Sequence, residues 1–224
     1  MSSIFLIILL AVFALALVIY SAVSQYLESK RQQQQHHSKI LKIRYSNLAK
    51  MLTGFPQKFL TKELIIFSYH CLIETCRQLS LVETKGGSYA LESRQLEKQL
   101  LEFENKSLTR TKVPLTNLKI IQQARFHLQE LHKIIEKRRE KKLLSTAQAR
   151  IYFEQIQTLM LQLSTDAYVI SAIDSENENN PKLSAHYYAL ALKLLEGKKL
   201  DDYLLERQQN FRNKLKSIET NFDV

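Results

Sequence analysis

The stretch YHCLIETC places His70, Cys71, Glu74 and Cys76 within seven residues. A thiol beside an imidazole can act as nucleophile and base, provided both side chains reach one place. On a helix, His70 and Glu74 share a face because they are four apart, whereas Cys71 and Cys76 point away from them. A zinc site would want CxxC-like spacing, which is absent. The four residues therefore read as core packing with one polar edge. Cys71 and Cys76 point about 140° apart on a helix, so they do not set up a disulfide. They read as free buried thiols of a reducing compartment. His36 and His37, in QQQQHHSK, form an adjacent pair with no further ligand nearby. A metal site needs more donors at defined spacing, so this stretch reads as polar linker.

The sharpest charge cluster is HKIIEKRREKK, residues 132–142. Lys133, Lys137, Arg138, Arg139, Lys141 and Lys142 there outnumber Glu136 and Glu140. Three readings compete. Cations suit the C-terminal end of a helix dipole, and the cluster can be no more than a solvated helix end. It can contact phosphate, from nucleic acid or anionic lipid. It can also dock an acidic protein surface. The stretch holds no aromatic side chain on which a base could stack, which makes nucleic acid the weaker partner. A second basic group, Lys30, Arg31, Lys39, Lys42 and Arg44, lies near the N-terminus. The net charge of +10 is uneven. Basic residues prevail over 24–62 and 113–150, residues 63–112 balance, and 151–224 is acidic.

Motifs of catalysis are missing. There is no Walker loop, GxGxxG, GxSxG or HExxH. Loops that cradle phosphate need glycine for close backbone approach, and the chain has four in all. The sequence implies no cofactor, no metal and no enzymatic activity.

The elements that hold these residues are helical throughout. The chain is 45% hydrophobic with only four Gly and three Pro, and is rich in strong helix formers. Residues 4–23 carry no charge, Gly or Pro. Twenty such residues match the thickness of a bilayer core, so residues 1–23 read as a retained transmembrane anchor in contact with lipid. Eight Lys or Arg against one Glu over residues 24–62 then put the N-terminus outside and the remainder in the cytoplasm, by the positive-inside rule. In a bacterium this would be the inner membrane. Residues 24–56 read as a basic juxtamembrane stalk helix, polar at first and amphipathic from Leu41.

Residues 57–224 read as an all-α cytoplasmic domain, with a potential subdivision into 57–113 and 114–224. Thr61 can cap a helix with Leu60 and Ile65 as a hydrophobic staple, and Ile65, Tyr69, Leu72, Cys76 and Leu79 form its seam. A charged helix over 91–105 follows, then a connector. Thr116 can cap a helix with the seam Ile121, Ala124, Leu128, Leu131 and Ile135. Ser145 can start the next, with Tyr152, Ile156, Leu159, Leu163, Ile170 and Ile173 as its seam. DSENENNP reads as an acidic loop, and 183–196 with 200–218 as a helical hairpin around Gly197. Such short seams suit a bundle or a solenoid-like stack of helical hairpins.

SAHYYALALKLLEG resembles the second helix of a tetratricopeptide repeat over 14 residues, with Ser184, Tyr188, Ala191 and Leu192 at that motif's small–aromatic–small–large spacing. The upstream partner helix departs from the pattern at Ser171, Ala172 and Ser175, and no period of about 34 residues recurs. The resemblance implies protein binding, while the residues by themselves read as two packed amphipathic helices. The functional expectation is a membrane-anchored helical scaffold or adaptor that binds other proteins. Its contact residues are the six cations of 133–142 together with Tyr187 and Tyr188, since tyrosine is favoured at interfaces. The alternative is a membrane-tethered binder of nucleic acid or anionic lipid through 133–142. No residue spacing specifies an oligomeric state.

Overall fold

Strong helix formers run between the few glycines and prolines, and the chain folds accordingly. In the structure, a computed structural model, the described residues hold seven helices and no strand. They are α1 (Ser2–Gly54), α2 (Lys62–Val82), α3 (Gly87–Asn105), α4 (Leu118–Glu140), α5 (Thr146–Asn177), α6 (Pro181–Leu195) and α7 (Asp202–Thr220). The backbone is described over residues 2–54, 59–82, 87–105 and 114–220, and side chains over 20–53, 59–82, 88–105, 114–218 and 220. The expected breaks at Pro56 and Gly86 and the connector through 106–113 lie outside the described residues.

The expected single-pass topology is corrected. Among the described residues, no helix is long and apolar enough to cross a membrane. A span needs about 20 consecutive apolar residues. The part of α1 with described side chains begins at Tyr20 and reaches Glu28, Lys30 and Arg31 within about three turns. Side chains of residues 4–19, which carry most of the apolar run, lie outside the described ones. The orientation and the cytoplasmic placement built on an anchor at 1–23 fall with it.

Two compact units divide the chain. One comprises Met1–Leu48 and Cys71–Lys98. Along its α1 part, every described side chain from Tyr20 to Ile40 is exposed except half-buried Ser38. Burial begins at Leu41 and continues at Leu48, where the amphipathic stripe was expected. Leu72, Cys76 and Leu79 of α2 are buried in the same unit. The Tyr45 hydroxyl donates to the Glu92 carboxylate, and its ring meets Tyr89 edge-on at 5.7 Å. Burial and the nearby Glu92 charge push the Cys76 thiol up to about 12.

The other unit comprises Ala49–His70 and Gln99–Val224. Thr61 caps α2, accepting from the Leu64 N–H at 3.3 Å, and both staple positions, Leu60 and Ile65, are buried. The expected seam of α4 is its buried face: Ile121, Ala124, Leu128, Leu131 and Ile135. Its cap is Asn117 rather than Thr116; the Asn117 carboxamide accepts from Lys119 and Ile120 N–H at 2.9 and 3.4 Å. Ser145 caps α5, as expected. α4 packs on α5, α5 on α6 and α6 on α7.

Two corrections concern α5. DSEN is its last turn, not a loop. Ile173 is exposed while Ala172 is fully buried. A straight helix drifts against any fixed 3–4 spacing, so over 32 residues the buried face rotates from Ile156 and Leu159 toward Thr165, Ala172 and Ser175. The ends of α4 and α5 share one geometry. Lys142 and Asn179 take positive φ of 57° and 56°. The following N–H groups then bond back, Leu143 to the Arg138 carbonyl at 2.9 Å and Asn180 to that of Ser175 at 2.8 Å. This is the Schellman closure, which satisfies carbonyls left open at a helix end. Asn180 also caps α6, with Pro181 in its first turn.

Candidate functional site

Asp166 on α5 and Arg207 on α7 are charged residues set among apolar ones, and both are buried. An unpaired charge there would be prohibitive, so they meet each other. The Arg207 guanidinium donates to Asp166 Oδ1, and the Leu115 N–H donates to Oδ2 at 3.0 Å. Burial pushes the Asp166 carboxyl above its usual range, while the guanidinium and the N–H pull it back. The guanidinium also lies over the rings of Tyr203 and Phe211, at 5.5 and 5.2 Å from their centroids. The pair thus ties three segments of one unit together: the strand of chain entering α4, the middle of α5 and the second turn of α7.

Above this pair lies an open groove of about 590 Å³, lined by Pro114, Asp202, Tyr203, Glu206, Arg207, Asn210 and Phe211. Arg207 is committed to Asp166, and the groove beside it presents two exposed carboxylates, the Asn210 carboxamide and the half-buried Tyr203. That set complements a segment bearing cationic and apolar side chains. Sequence reasoning offered none of these residues as a contact. The signal was present: Asp166 and Arg207 interrupt the apolar seams of α5 and α7 with opposite charges, each three residues after a leucine, Leu163 and Leu204.

The basic end of α4 is partly consumed by its own unit. Lys133 pairs with Glu130 at 2.8 Å, and Arg139 with Glu136 at 3.8 Å. Arg138 lies over Phe67 at 5.9 Å and Arg139 over Phe153 at 5.7 Å. The aromatic rings absent from residues 132–142 are therefore supplied by α2 and α5. Lys142 serves the αL turn, and Lys137, Lys141 and Lys142 remain exposed.

The expected tyrosine contacts separate. Tyr187 is half-buried against Tyr168 at 6.5 Å. Tyr188 is only 4% exposed and packs on Phe211, so its ring belongs to the core rather than to an accessible interface. Burial and the hydrogen-bonded Glu176 push its hydroxyl up to about 12. On α1, Lys30, Arg31, Lys39 and Lys42 are exposed and Arg44 is half-buried. The Cys/His stretch does not assemble: His70 is exposed, whereas Cys71 and Cys76 are free and fully buried. Among the described residues, no three His, Cys, Asp or Glu side chains lie together as a metal site. No protein-family model matches the chain, and no curated protein or solved structure matches it either.

Proposed function

We propose that the chain is an all-α scaffold that binds another protein, and that the α7 groove receives a basic, partly apolar segment of that partner. The observation that carries this reading is the composition of the groove. Asp202 and Glu206 are exposed at its rim beside the Tyr203 ring, with the charge of Arg207 cancelled from below. A partner's Lys or Arg can lie across the ring with its head group on a carboxylate, an arrangement that suits both charges and aromatic faces. The buried pair under the groove holds Tyr203 and Phe211 in place, which limits the ordering cost of binding. The exposed Lys137, Lys141 and Lys142 lie outside this groove; they would steer approach to an acidic surface rather than form the contact.

A photo-crosslinking residue at Asn210 of the full chain tests the reading. The expected result is a discrete protein adduct, lost when Asp202→Lys and Glu206→Lys are introduced together and retained when Lys137, Lys141 and Lys142 are reversed. An adduct indifferent to the Asp202 and Glu206 reversals, or one that vanishes on nuclease treatment, would overturn it.

A further inference from the structure

A second groove opens between the last turn of α1 and α4, within one compact unit and away from the α7 residues discussed above. Lys50, Thr53, Gln122, Gln123, Phe126 and His127 line about 510 Å³. That volume falls in the range of small-molecule sites, about 300–1,000 Å³.

Its residues are not explained by packing. Phe126 leaves 52% of its surface exposed, although α4 buries a complete apolar seam without it. The ring is flanked about two helical turns away on either side by Lys119 and Lys133. Among the described residues, no carboxylate is paired with the Lys50 ammonium. His127 stands edge-on to Phe126 at 5.7 Å. Burial, and then the charge of Lys50, hold its imidazole below the usual histidine range. The same two causes favour its neutral form. Gln122 and Gln123 add two exposed carboxamides, each with both donor and acceptor.

An aromatic platform for stacking, amides for the edge of a ring and a cation for an anion together suit a heterocycle bearing an anionic group. We propose that this groove binds a nucleotide-class ligand. The ring stacks on Phe126, the carboxamides of Gln122 and Gln123 meet its edge, and the phosphate lies on Lys50. The shared chemistry could be presented by a free nucleotide or by one unit of a single strand. Lys50 and Phe126 supply a single cation and a single exposed ring among the described residues that line the groove, which favours the free nucleotide as occupant.

The test is titration calorimetry of the full chain with AMP, GMP, CMP and UMP, with the matching nucleosides and inorganic phosphate as the separated halves, and with a single-stranded oligonucleotide. At least one monophosphate is expected to bind saturably, and its two halves at least about tenfold more weakly, because a charge-assisted contact and a stacked ring are each worth a factor of that order. Lys50→Met and Phe126→Ala should each weaken the monophosphate by about tenfold or more, and Gln123→Ala should weaken it by a smaller factor, through loss of a contact at the edge of the ring. All three positions are exposed, so circular dichroism should be unchanged; Glu206→Lys in the α7 groove should leave binding unaffected. The proposal is overturned if no monophosphate binds at millimolar concentration, if binding ignores Lys50 and Phe126, if a nucleoside binds as tightly as its monophosphate, or if only the oligonucleotide binds.

Discussion

Asp166 joins three segments of the second unit through one carboxylate. Its carboxylate receives the Arg207 guanidinium and the Leu115 N–H, with no exposed surface of its own. Removing one member of such a pair leaves a buried charge without its partner. Arg207→Ala should therefore destabilise the fold by about 3–5 kcal/mol in urea denaturation. Arg207→Met combined with Asp166→Leu should lose clearly less than Arg207→Ala alone, because an apolar pair has no charge to desolvate. A single-charge loss that cost under 1 kcal/mol would show the pair to be wetter than its burial implies. The raised Cys76 and Tyr188 groups set a pH limit. Each is held neutral in the fold, with values near 12 against ordinary values of 9.0 and 10.0. The unfolded chain therefore releases these protons first as pH rises. Their contribution is complete below pH 9 and declines between about pH 9 and 12. Thermal midpoints should fall across that window, and Cys76→Ala should flatten the part of the decline that begins near pH 9.

Single helices show where backbone geometry rather than packing sets the cost of a change. Gly197 has φ +65° and nothing within 4 Å of where a Cβ would stand. Gly197→Ala should still cost about 1 kcal/mol, entirely from the left-handed backbone, measured as a shift in the urea midpoint. Asn180 closes α5 and caps α6 at once; Asn180→Ala should cost about 1 kcal/mol from the cap. The last turn of α4 separates cations of two kinds. Reversing Lys137, Lys141 and Lys142, which are exposed, should change stability by no more than about 0.5 kcal/mol each. Arg138→Ala should cost more, because it also removes the guanidinium and its stem from Phe67. If all four behaved alike in denaturation, the ring contact would carry no energy.

Over the whole chain, sequence neighbours do not define the compact units. The second unit takes in residues 49–70 as well as 99–224. Phe67 meets Tyr152 at 4.9 Å, and the Thr61 hydroxyl donates to the Gln155 carboxamide at 2.8 Å. A fragment of residues 114–224 alone should therefore unfold at lower urea than the intact chain, since the Tyr152 and Arg138 sides of α5 and α4 would lose the ring of Phe67. Equal midpoints for fragment and full chain would show residues 59–70 to be dispensable. The same dispersal explains which cations are free. The sequence presents six in one run, but an ion pair within α4 engages Lys133, and rings from α2 and α5 engage Arg138 and Arg139.

What the residues determined alone was the all-α class, the seam of α4 residue for residue, the Thr61 and Ser145 caps, and the paired helices around Gly197. These rest on interactions within a few residues: 3.6-residue periodicity, side-chain caps and the freedom of glycine. Tertiary structure decided the rest. The pairing of Asp166 with Arg207 spans 41 residues, and the rings beneath Arg138 and Arg139 come from α2 and α5. Tyr187 and Tyr188 are adjacent and chemically identical, yet one is half-exposed and the other buried. Only the neighbours that α5 and α7 bring to α6 distinguish them. The second groove likewise joins Lys50 and Thr53 of α1 to residues of α4 far along the chain, and in the α7 groove Pro114 joins residues of one helix; these approaches follow from which segments meet and not from local spacing.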